Sequence, residues 1–181
     1  MITGHFTTAL VPYAKDKSLP LFFLLIVSQA PDFLIPVDIA RSGDGNFRTL
    51  EMTYSHDLLP VLVLSLIVGA IAQVLFKNRK LTLWTIGLIL LHELCDAISG
   101  FAHNIYGLTS PRFGFDFYRT APVTAYAIEL LLSISCVGYF LYTRKKQGEP
   151  LTVPKTGVLL GIVFLPTVSM MILALMGKPL I

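Results

Sequence analysis

Apolar residues along this chain come in long blocks separated by short polar or basic turns, with no sustained alternation of the kind a strand needs. Leu19 to Ile39 is nearly continuous, broken by Pro20, Pro31 and Pro36 and carrying only Asp32 and Asp38 as charges. Further blocks run over about 58–76, 81–101, 121–142 and 156–176. Each is long enough to cross the roughly 30 Å hydrocarbon core of a bilayer as a helix. A shorter apolar stretch at 4–14 predicts a half-helix or a tilted segment. The expectation is an all-α, polytopic membrane bundle of five full spans plus a short N-terminal membrane segment, forming a single transmembrane domain over 1–181.

Composition points the same way. A mean hydropathy of +0.71 with only 14% charged residues is far from the balance of a soluble domain. Cys95 and Cys136 both lie in apolar blocks, which favours helix packing over a disulfide framework. The N-terminus has no basic stretch ahead of an apolar one, so no cleaved signal peptide is expected.

Charge then sets a topology. Lys15, Lys17, Lys77, Arg79, Lys80, Arg144, Lys145, Lys146 and Lys155 fall in turns that alternating spans place on one side. Arg41, Arg48, Arg112, Arg119 and Lys178 fall on the other. The richer side is expected to be cytoplasmic, with Trp84 as an interfacial anchor. Topology accounts for the basic residues, so no nucleic-acid partner is expected. Most acids sort to the outer half, which makes that half a cation-attracting cavity.

Within the block opening at Leu81 stands LHELCDAISGFAH, with His92, Glu93, Asp96 and His103. His92 and Asp96 share a helical face, and ionisable groups at membrane depth face a partner, a cavity or an ion. They read as half of a metal site. At about 1.5 Å per residue, His92 and Asp96 lie about 18 and 24 Å from Lys80. Asp32 and Glu129 come out at roughly 22 Å from their own basic turns. His56 and Asp57 fall at the outer mouth, and His5 points towards the same layer. Plain structural roles stand beside these: an interfacial His5, an N-cap cluster at Ser55, His56 and Asp57, and a hydrogen-bonded pair of His92 and Asp96.

The order GHFTTAL, Pro31-Asp32, YSHDLL, HELCD and the IEL at 128–130 resembles the bacterial membrane-bound metal-dependent hydrolases over about residues 1–142. That resemblance implies His5, Asp32, His56, His92 and Asp96 as metal ligands and Glu129 as ligand or acid/base. Leu91 stands where the family pattern has Ser, Asp57 where it has a second Ser, and His103 is the nearest candidate for a displaced His. The family's chemistry is inferred from a likeness to zinc-dependent phospholipases.

Imidazoles with carboxylates suit Zn²⁺, and three His with two or three carboxylates exceed what one four-coordinate ion needs. A two-ion site with ions about 3.5 to 4 Å apart is therefore open, with Glu129 or Asp57 moving the proton of an attacking water. Arg112 and Arg119 are candidates for binding a lipid phosphate. The function expected is hydrolysis of a lipid or lipid-linked ester or phosphoester at the outer face of a bacterial inner membrane. An ion- or proton-coupled transporter and a non-enzymatic metal-binding membrane protein are the alternatives.

Overall fold

The computed structural model describes residues 4–42, 50–149 and 153–177, so Arg48 and Lys178 lie outside the described residues. Helices α1 (Gly4–Thr8) and α2 (Leu10–Lys15) open the chain, followed by α3 (Leu21–Val27), a 3-10 turn at Asp32–Leu34 and α4 (Ile35–Ser42). The long helices are α5 (Leu58–Phe76), α6 (Arg79–Ser99), α8 (Pro122–Lys146) and α9 (Val153–Leu175). Between α6 and α8 lie a two-residue hairpin, β1 (His103–Asn104) against β2 (Arg112–Phe113), and the short α7 (Phe117–Thr120).

Helices α5, α6 and α8 are long and apolar enough to cross a membrane. The α3 and α4 pair, bent by 56°, makes a fourth crossing if taken as one span. Five full spans are not supported. The block at 19–39 is not a single helix: it breaks after Val27, ahead of Pro31, which removes a backbone donor and disfavours the helical conformation of the residue before it, while Pro36 is accommodated in the first turn of α4. In α9 the apolar helical portion counted among the described side chains is Phe164–Leu175, short of a span.

Helices α5 and α6 form a tight antiparallel hairpin. Lys77 takes a left-handed conformation, φ 51°, and Asn78 caps α6 by accepting from the amides of Lys80 and Leu81 at 3.0 and 3.2 Å. Gly69 lets the two backbones approach, since a Cβ there would stand 2.6 Å from Ile86 Cγ1. The outer faces stay apolar: Leu66, Val74 and Leu83 are each more than half exposed. A helix greasy on its exposed side matches a lipid environment rather than water.

One core gathers Ala9, Leu24, Val27, Val61, Leu88 and Ile89. The N-terminal segment is central to the bundle, not peripheral, and packs against α8 with His5, Thr7, Ala9, Leu10 and Ala14 buried. The basic turns meet at one end. Glu149 pairs with both Lys17 and Arg144, Lys80 lies 3.4 Å from Asp16, and Gln147 donates to the Ala14 carbonyl at 3.2 Å. The ionisable cluster lies towards the opposite ends of the same helices.

Candidate metal centre

Four separate segments deliver the cluster. His5 comes from α1, Asp32 from the 3-10 turn, His56 from the loop entering α5, and His92 and Asp96 from one face of α6. All three imidazoles are at most 2% exposed. His5, His92 and Asp96 form one group able to hold a metal ion, and Asp32, His56 and His92 form another, the donor atoms of each group lying within 4.8 Å of one another. The structure therefore brings together the five side chains that the sequence singled out as ligands.

The distances are short. His56 Nε2 is 3.3 Å from Asp32 Oδ1, 3.4 Å from Asp96 Oδ2 and 3.3 Å from His92 Nε2. His92 Nε2 is 3.6 Å from the same two carboxylate oxygens. His5 Nε2 is 3.2 Å from the other oxygen of Asp96, Oδ1, and its ring stacks on His92 at 3.5 Å between centroids. Donors bound to one zinc at about 2.0–2.1 Å stand roughly 3.3–3.4 Å apart when tetrahedral. The separations seen here are close to that spacing.

The hydrogen-bond partners say what the centre needs. His92 Nδ1 lies 2.8 Å from the Ser28 carbonyl, which can only accept, so in the neutral ring Nδ1 carries the hydrogen and Nε2 presents a lone pair. That lone pair faces two carboxylate oxygens and a third ring nitrogen. Such an arrangement is repulsive unless a positive charge sits among them. Burial opposes a charge on His56, but its hydrogen bonds to Asp32 and Asp96 outweigh that and push its pKa up to about 10. A proton on His56 is one way to supply the positive charge. A bound cation is the other, and the imidazole and carboxylate donors fit a borderline divalent metal.

The supporting shell was less visible in sequence. The break after α3 turns the Ser28 carbonyl towards His92. With its amide oriented so that each end meets a complementary group, Gln29 donates to Asp32 Oδ2 at 3.1 Å and accepts from the Phe6 amide at 3.1 Å, tying Asp32 to the helix that carries His5. Asp38, 2% exposed, accepts from the amides of Tyr54 and Ser55 at 2.8 and 3.0 Å and so fixes the loop just before His56. Ser55 Oγ is 2.7 Å from His56 Nδ1. Partners of this kind orient ligands and contribute to metal affinity. Their sequence signal was faint: an acid inside an apolar block, and a polar Ser-Gln pair ahead of Pro31.

The remaining expected residues stand outside the ligand groups. Glu129 is buried, accepting from the Gly4 amide at 3.1 Å and the Tyr118 hydroxyl at 3.1 Å, so it holds the start of the helix that presents His5. Asp57 occupies the N-cap position of α5 without a side-chain cap bond. Its carboxylate instead accepts from the amides of Asn104 and Gly107 at 3.1 and 2.6 Å. Arg112 donates to the Ala102 carbonyl at 3.0 Å, while Arg119 lies 3.6 Å from Asp116 and over the Phe101 ring.

His103, 4% exposed, stacks on His56 at 5.1 Å between centroids. Burial and repulsion from His56 push its pKa down to about 3, so the ring is neutral. Neither oxygen of the buried Glu93 meets a hydrogen-bond partner among the described residues. Both residues stand near the centre, although neither is in a ligand group.

Fold and site together define a helical protein with membrane-length apolar helices and a buried His/Asp centre that can hold a metal ion. No protein family, curated protein or solved structure matches the chain, so its class rests on this architecture alone.

Proposed function

We propose that the chain is a membrane-embedded, metal-dependent hydrolase acting on a lipid or lipid-linked ester or phosphoester. The observation that carries this reading is the convergence of His5, Asp32, His56, His92 and Asp96, with the His92 lone pair aimed among carboxylates. In this reading those five side chains hold one or two divalent ions, zinc foremost. A bound ion of this kind lowers the pKa of water and stabilises charge developing on the cleaved group. Water adds to the ester carbonyl or phosphorus, the bond to the leaving oxygen breaks, and that oxygen takes up a proton.

The chain's own residues prepare that step. Ser28 and Gln29 orient His92 and Asp32, and Asp38 fixes the approach to His56. Glu129 and Asp57 act by placing the His5 helix and the hairpin; their carboxylates are engaged with those elements. The basic turns face the cytoplasm of a bacterial inner membrane and the centre opens to the outer side, following the excess of Lys and Arg in those turns. Among the described residues, every buried Asp, Glu or His lies in the half of the bundle that holds the centre and none near the basic turns, which favours a one-sided centre over a transport path.

The test is turnover of a panel of ester and phosphoester lipids by purified protein, with and without chelator. Chelator-sensitive turnover that zinc restores supports the reading. Absence of turnover in protein shown to carry metal contradicts it.

A further inference from the structure

Two cavities flank the β1–β2 hairpin, and their linings differ sharply. On one side is a polar cavity of about 510 Å³, lined by Arg112, Arg119, His103 and Asn104. His103 is buried, and its Nε2 has no hydrogen-bond partner among the described residues. The same ring stacks on His56 of the centre. Asp57 and Glu51 also line the cavity, but the Asp57 carboxylate is taken up by two backbone amides, and Glu51 is an exposed side chain.

On the other side is an apolar groove of about 330 Å³, lined by Leu34, Leu59, Val63, Leu64, Ile67 and Tyr106. Leu34 belongs to the same 3-10 turn as Asp32, and Leu59 is three residues beyond His56. The hairpin that divides the two is fixed in place. Asp57 holds the amides of Asn104 and Gly107, and the Leu59 amide donates to the Ile105 carbonyl at 3.1 Å. Tyr106 lines the groove and Leu108, two residues on, lines the cavity.

We infer that these two spaces receive the two ends of one ligand, an anionic diacyl lipid whose phosphate lies in the Arg112/Arg119/His103 cavity and whose acyl chain lies along the Leu59/Ile67/Tyr106 groove. Arginines suit phosphate oxygens through charge-assisted, often bidentate hydrogen bonds. The groove offers no polar side chain apart from the phenol of Tyr106, so it complements a hydrocarbon chain and little else. A lipid seated this way crosses over the hairpin beside His56. The inference deepens the hydrolase reading and rests on it for the identity of the reacting bond.

The experiment is ligand retention by purified full-length protein in detergent. The probes are a phosphatidic acid, the diacylglycerol with the same chains, and inorganic phosphate. The expected result is retention of phosphatidic acid at least about tenfold over either of the others. The double variant Arg112→Gln/Arg119→Gln should lose that preference for phosphatidic acid over diacylglycerol. Ile67→Trp, at a half-exposed position that tolerates bulk, should weaken phosphatidic acid about tenfold and leave inorganic phosphate unchanged.

Equal retention of the charged and neutral lipids, or indifference to both sets of substitutions, overturns the inference. So does inorganic phosphate binding as tightly as the lipid. Elemental analysis of the same samples separates the two claims. Bound metal with no lipid preference sinks only the ligand assignment, whereas lipid preference without metal sinks the hydrolase reading.

Discussion

The two ends of the bundle carry similar chemistry to opposite effect. At the basic end, Glu149, Asp16, Lys17, Lys80 and Arg144 pair at the surface, where water screens each charge. At the other end, three imidazoles and two carboxylates converge, four of the five side chains almost wholly removed from solvent. Surface pairs are replaceable because water takes over when one partner leaves. Buried groups lack that substitute, so their arrangement persists only if something compensates the charge. Acids facing bases thus hold turns together at one end and define a site at the other.

Substitutions should separate the two ends by the size of their effect. Asp96→Ala removes the carboxylate that meets His5 through one oxygen and His56 through the other, and should lower metal affinity at least about a hundredfold in a competition titration. Gln29→Leu leaves all five ligands but frees Asp32 Oδ2, and should cost roughly 10–100-fold in the same assay.

Acidity gives the next contrast. The His56 pKa of about 10 means that metal-free protein carries a proton there at neutral pH, and an incoming ion must displace it. Apparent affinity should therefore fall roughly tenfold for each unit of pH lost between about pH 8 and about pH 6. Affinity flat over that range would show that His56 is not a ligand. Away from both ends, Gly69→Val forces its side chain into Ile86 and should lower stability by about 1–3 kcal/mol with metal content intact. At the basic end, Glu149→Gln should shift the melting temperature by no more than roughly 2 °C and leave metal content untouched.

Much of this contrast was legible in the chain. Apolar blocks gave α5, α6 and α8 nearly to their ends because a span is set by length and composition, both local properties. Helical rise from the basic turns placed Asp32, His92 and Asp96 at one depth. Harder to read were the places where backbone breaks. The prolines at 31 and 36 signalled a disruption of the 19–39 block, but not that its bend would turn the Ser28 carbonyl onto His92.

The N-terminal segment was readable as membrane-associated yet not as the buried centre of the bundle, since burial depends on partners distant in sequence. Glu129 shows the same limit. Its depth matched the cluster, but depth could not show that its carboxylate would accept from Gly4 and Tyr118. Asp57 likewise reads as a helix cap, while its oxygens secure a hairpin some fifty residues further on.

In the function proposed, an ion sits among His5, Asp32, His56, His92 and Asp96. Elemental analysis of protein purified gently and without chelator tests it most directly, run beside His92→Ala. The expected result is one or two equivalents of a divalent metal, zinc foremost, in the parent protein and their loss in the variant. Metal-free parent protein, or a variant that keeps its full complement, would contradict it.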